Sequence, residues 1–139
     1  MCTSVTQIFP WREDYSVHIP QIDGQHQQLV AIINELHAAM LQGTANAALG
    51  RILDELVRYA QSHFAYEEAM LQQRGYSSLT VHRAEHQKLT QQVADLKERF
   101  RAGKLTLSVQ VMQFLKEWLA NHILTRDMQY AKELAPPAR

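Results

Sequence analysis

The chain has 139 residues with 14 Lys/Arg against 14 Asp/Glu, so one domain is expected and no global field draws it to nucleic acid or an anionic membrane. Alanine, leucine and glutamine supply 47 residues while glycine and proline supply nine, which argues against a sandwich, a barrel or a disordered tail and for an all-α fold. The lone cysteine, Cys2, excludes a disulfide framework, a cysteine-rich zinc module and an iron–sulfur site.

Residues 1–19 carry Pro10, Trp11 and Tyr15 without helical period and read as an ordered arm laid on the rest. The first fifteen lack the charged-then-apolar pattern of a secretory signal, and no apolar run approaches a membrane span, so a soluble, cytoplasmic protein with no membrane insertion is expected. A first helix is predicted from Pro20, a residue suited to a first turn, to Gln42, with Ile22, Leu29, Ile33, Leu36 and Met40 on one stripe and Gly43 as the break. The second runs from Asn46 to Gln73 on Leu49, Ile52, Leu56, Tyr59, Ala60 and Met70. Gly75 then reads as a C-terminal cap, followed by a serine N-cap. The third runs from Leu79 to Ala102 on Leu79, Leu89, Val93, Leu96 and Phe100, with Arg99, Arg101 and Lys104 at its cation-favouring end. The fourth spans Thr106 to Leu134, with Val111, Leu115 and Trp118 inward, and Pro136-Pro137 stops it.

Four long helices joined by short breaks predict an up-down-up-down antiparallel four-helix bundle over residues 20–135, preceded by the 1–19 arm and followed by a 136–139 tail. Residues 1–70 hold 3 Lys/Arg against 8 Asp/Glu, and residues 71–139 hold 11 against 6. The simplest reading is an acidic helix pair facing a basic pair inside one bundle.

The stripes are interrupted by histidines. His26 continues the first, His63 and Glu67 the second, His82 and His86 the third, and His122 the fourth. His63/Glu67 and His82/His86 are i,i+4 pairs, each on one face. In an antiparallel bundle all these positions fall toward the same end. A single inward histidine is ordinarily a hydrogen-bonded core residue. Five of them with a carboxylate at one depth would be expensive to bury without a compensating cation, and imidazole with carboxylate is a transition-metal donor set. Spacing alone does not choose among iron, zinc and manganese.

Asp127 lies five residues after His122, about 140° off its face in a regular helix, and the stripe then resumes through Tyr130 and Leu134. One extra residue in a π-turn would bring Asp127 inward. Elsewhere, His82–His86 has Arg83 where an HExxH metalloprotease needs glutamate, and there is no phosphate loop or nucleophile elbow. His18, in the arm, and His37, roughly 16 Å along the helix from His26, are expected to stand outside the site.

The segments IDGQHQQL (22–29), HFAYEE (63–68), HRAEH (82–86) and HILTRD (122–127) together resemble the hemerythrin family in its standalone bacterial form. The resemblance covers Trp11 to about Tyr130. It implies a non-haem di-iron centre, two Fe(II)/Fe(III) ions per chain with an oxo/hydroxo bridge, that binds O2 reversibly. By that resemblance His82, His86 and His122 would hold one iron, His26 and His63 the other, and Glu67 and Asp127 would bridge them. Phe64, Trp118, Leu119 and Ile123 would wall the O2 pocket, with Leu119 similar to the family residue packed over bound O2.

The reading is therefore a binding protein that stores, transports or delivers O2, not an enzyme. The alternatives are a peroxidase or oxidase at the same irons, with Tyr59 or Tyr66 relaying protons or electrons, or a sensor acting through a partner protein. An O2-consuming enzyme is the recipient that delivery implies, and the absence of a large exposed apolar stripe points to a monomer.

Overall fold

A computed structural model describes residues 8–43, 45–104 and 109–135. After a short 3-10 turn at Glu13–Tyr15, α1 runs over Pro20–Leu41, α2 over Ala45–Gln73 and α3 over Leu79–Arg101. α4 covers Val109–His122, a π-turn follows at Ile123–Asp127, and α5 continues the same rod over Met128–Leu134. Every described helix matches its expected span to within a residue or two, except that Thr106 and the expected start of the fourth rod lie outside the described residues, as do Cys2 and the 136–139 tail. The fold is the antiparallel four-helix bundle expected. No described helix is long and apolar enough to cross a membrane.

Helix ends follow local chemistry. Pro20 occupies the first turn of α1, where its missing N–H is no loss. Gly75, at φ +69°, lets the Tyr76 N–H reach back to the Leu71 carbonyl at 3.0 Å and close α2. The expected serine cap is not made. Ser78 precedes α3 without capping it through its side chain. Ser77 instead donates its backbone N–H to Glu133 at 3.0 Å and its hydroxyl to the same carboxylate, joining α5 to the α2–α3 turn. Within α2, Gly50 permits close approach to α3, since a Cβ there would lie 2.8 Å from Phe100 Cε2.

Two side chains of α1 hold the arm. Asn34 bonds both backbone groups of Phe9, and Asp23 accepts from the Ser16 hydroxyl at 2.6 Å and the Val17 N–H at 2.9 Å. Phe9 and Tyr15 then pack edge-on, 5.5 Å apart, into the core. The acidic and basic halves meet through Lys97 with Asp54 and Arg83 with Glu68, both joining α3 to α2.

The apolar interior is in two parts. The larger runs from Leu29, Phe64, Leu89 and Ile123 to the far end of the bundle, and the smaller gathers Val17, Ile22, Leu71, Tyr76 and Tyr130. Along α1, His26 falls between Ile22 of the smaller cluster and Leu29 of the larger, and along α2 Glu67 falls between Leu71 and Phe64. Asp127 likewise separates Ile123 from Tyr130. The polar residues form a layer between two apolar ones.

Candidate metal centre

That layer contains seven buried polar side chains: His26, His63, Glu67, His82, His86, His122 and Asp127, none more than 2% exposed. Regular α-helix brings in six of them. Asp127 arrives through the π-turn, in which the Met128 N–H reaches the Ile123 carbonyl five residues back. The expectation drawn from the spacing of His122 and Asp127 is met.

The two carboxylates divide the histidines. Glu67 Oε1 lies 2.7 Å from His82 Nε2 and 3.0 Å from His86 Nε2, while Oε2 lies 3.7 Å from His26 Nε2 and 3.5 Å from His63 Nε2. Asp127 repeats the division, with Oδ1 at 3.1 Å from both His82 and His122 and Oδ2 at 3.1 Å from His26. Taken together, Glu67 Oε1 and Asp127 Oδ1 face His82, His86 and His122, while Glu67 Oε2 and Asp127 Oδ2 face His26 and His63. The donor atoms of Glu67, His82, His86, His122 and Asp127 lie within 4.8 Å of one another, as do those of His26, His63 and Glu67.

Most of these atoms point at shared space rather than at one another. Among the described residues, the buried side-chain N and O atoms with no hydrogen-bond partner all belong to this cluster, including Nε2 of His26, His63, His86 and His122 and both oxygens of Asp127. Each such orphan costs roughly 1–3 kcal/mol, so the arrangement fits cations and is poor as a closed hydrogen-bond network.

Charge follows the same logic. Burial opposes protonation of His26 and His82, but Asp127 and Glu67 outweigh it and lift both to about 9. His63 moves the other way, to about 4, because burial dominates and His26 and His86 add like charge. Burial alone would raise Glu67, yet the facing imidazoles of His26, His82 and His86 hold it well below the usual carboxylate range. Burial and Glu67 oppose ionisation of Asp127, but His122 and His26 prevail and lower it too. At neutral pH the imidazolium forms of His26 and His82 thus face the two ionised carboxylates.

Three further side chains complete the site, and periodicity had singled out none of them for a role. Tyr130, fully buried, donates its hydroxyl to Glu67 Oε2 at 3.0 Å, and burial with the nearby acids pushes its pKa far up, so the proton stays. The His63 Nδ1–H donates to Gln25 Oε1 at 2.6 Å and the His86 Nδ1–H to Glu68 Oε2 at 2.8 Å, which leaves each Nε2 free to face inward. Gln25 and Glu68 each adjoin a cluster residue in sequence, and that adjacency was the available signal.

The four expected wall residues are buried. Phe64 stacks on His86 at 4.0 Å and also approaches His63 and His122, while Trp118 donates its indole N–H to the Leu89 carbonyl at 3.0 Å. Leu119 and Ile123 lie in the larger apolar cluster. His18 is exposed and His37 half-buried, both outside the layer as expected, and Tyr66 faces solvent at 45% exposure.

A family model described as the hemerythrin HHE cation-binding domain matches residues 17–134. The bacteriohemerythrin of Stenotrophomonas maltophilia is 36% identical over 124 residues, 89% of this chain and 80% of that protein. That of Methylococcus capsulatus is 33% identical over 117 residues, 84% of this chain and 88% of the relative. A solved wild-type hemerythrin superposes with a TM-score of 0.83 at 32% identity, covering 93% of this chain and 99% of that one.

Proposed function

The chain belongs to the hemerythrin family, and from that premise we propose that it binds O2 reversibly at a non-haem di-iron centre and serves as a store or carrier of O2. In this reading His82, His86 and His122 would hold one iron and His26 and His63 the other, with Glu67 and Asp127 serving both. The observation that carries it is how the two carboxylates together divide the histidines, one oxygen from each toward the set His82, His86 and His122 and the other toward the set His26 and His63. Two irons held there would supply the two electrons that O2 takes up on binding and returns on release.

The protein's own part is positioning and exclusion. Five imidazoles against two carboxylates make a nitrogen-rich donor set, and the position with two histidines has the fewer protein donors, which leaves room there for a small ligand. Phe64, Trp118, Leu119 and Ile123 offer apolar surface around the ligands, which disfavours water and any polar substrate. Leu119, one turn before His122, is assigned the place over the bound gas.

Binding is favoured over oxidase or peroxidase chemistry because, among the described residues, the acid beside the cluster, Glu68, is committed to His86 and Arg83. Tyr130 is likewise committed, to Glu67, with its proton tightly held. Tyr59 and Tyr66 lie outside the layer. The reading includes a monomer, since the exposed large apolar side chains (Leu41, Tyr66, Val81, Val109, Phe114 and Leu124) are scattered along the rods. An O2-consuming enzyme would be its recipient.

Anaerobic loading should place two irons per chain. Admission of air should raise a visible absorption band that vacuum removes. A single bound ion, or O2 uptake that survives the double change His26→Ala/His63→Ala, would overturn the proposal.

A further inference from the structure

The two histidines held from behind are held by different chemistry. The ring of His86 is backed by a carboxylate, Glu68, whose Oε2 accepts the Nδ1 proton at 2.8 Å. The ring of His63 is backed by a neutral amide, Gln25, at 2.6 Å. His26 and His122 have no partner at Nδ1. The position with three histidines therefore has an anion behind it, and the position with two has only a dipole. Arg83 Nε stands 3.4 Å from Glu68 Oε1 while its Nη2 donates to Gln72 Oε1 at 3.2 Å, which fixes the carboxylate's orientation. At 44% exposure its own charge is largely screened by solvent.

A carboxylate drawing on the Nδ1 proton pushes electron density through the ring to Nε2 and makes the imidazole a stronger donor, whereas an amide does so far less. Resting on the two-iron reading above, we propose that Glu68 and Gln25 are positioning residues that make the two metal positions unequal. Glu68 makes the His82/His86/His122 position the tighter and more easily oxidised, and Gln25 keeps the His26/His63 position electron-poor. The inequality adds to the difference in histidine number, so the more weakly supported metal is the one left to hold a small ligand. It is set from outside the ligand shell, by two residues that do not belong to the seven.

The test exploits isosteres. Glu68→Gln keeps an acceptor for the same N–H and removes only the charge, and Gln25→Glu adds a charge in the same place. Cobalt(II) is titrated anaerobically into each variant, read by calorimetry and by the ligand-field absorption of each bound ion, with circular dichroism reporting the fold. The wild type should take two ions in resolved steps. Glu68→Gln should weaken the tighter step by about ten- to a hundredfold with the other step unmoved. Gln25→Glu should strengthen the weaker step, and in the iron-loaded protein Glu68→Gln should raise the first oxidation midpoint. If a folded Glu68→Gln moves neither step or both equally, or if Gln25→Glu leaves the weaker step unchanged, the rings are merely tethered and the inference fails alone. Uptake of one ion by the wild type would instead overturn the two-metal reading and this inference with it.

Discussion

Metal loading should expel protons, and the number follows from the site. In the metal-free chain His26 and His82 both titrate near 9, so at pH 7 each carries a proton about 99% of the time. His63, near 4, is neutral there, and Glu67 and Asp127 are already ionised. Ligation requires neutral imidazole, so filling the layer at pH 7 should release about two protons per chain from these residues. At pH 9 both are half-protonated and the release should fall to about one. A bridging water that becomes hydroxide would add one proton at both pH values, so the decline of about one is the diagnostic quantity. It is measured by calorimetry in two buffers of different ionisation enthalpy, the slope of heat against buffer enthalpy giving the proton count. A count that does not fall between pH 7 and pH 9 would refute the charge balance drawn for the layer.

Stability of the metal-free chain should vary with pH from both sides. The raised histidines, His26 and His82, contribute fully below pH 6.5 and lose that contribution as pH climbs through about 9; the depressed carboxylates, Glu67 and Asp127, lose theirs in acid, and His63 opposes folding as pH falls from 6.5 toward 4. Urea midpoints should therefore peak near pH 6, and a midpoint still rising at pH 9 would contradict this. Tyr130→Phe leaves Glu67 Oε2 without its hydroxyl partner and should cost about 1–3 kcal/mol in urea unfolding of the metal-free chain, with an unchanged midpoint counting against that bond. Leu119→Ala, at a site 2% exposed, should cost about 2–5 kcal/mol and hasten loss of the O2-binding form to oxidation, which optical spectra follow in air; an unaltered oxidation rate would remove Leu119 from its assigned place. Asp23→Ala should free residues 16–17 from α1, and limited proteolysis should then cut the arm faster than in the wild type.

The sequence was most legible where one rule acted alone. Period 3.6 with glycine and proline breaks located α1 to α3, and the five-residue step from His122 to Asp127 disclosed the π-turn because a carboxylate out of phase has few other ways inward. His37 and His18 were set aside by axial distance and by position in the arm, which need no partner to be known. Legibility failed where the answer lay in the choice of a partner. Ser78 has the right residue type for a cap, yet the neighbouring Ser77 is drawn to Glu133, 56 residues away, and the cap is not made. Periodicity puts Tyr130 on the inner face without indicating that its hydroxyl meets Glu67. Gln25 and Glu68 sit beside cluster residues, but only the packed bundle decides which imidazole each one backs. Asp23 and Asn34 read as ordinary polar residues on α1 until the arm lies across them.

The small apolar group of Val17, Ile22, Leu71, Tyr76 and Tyr130 draws on the arm, the start of α1, the end of α2, the α2–α3 turn and α5. It works as a stopper. Smaller than the main core and built partly on the arm and a seven-residue helix, it should open at lower free energy than the main core. On the two-iron reading, metal exchange would then be governed by how often the stopper lifts, so a weakly held ion and a strongly held one would leave at rates closer together than their affinities.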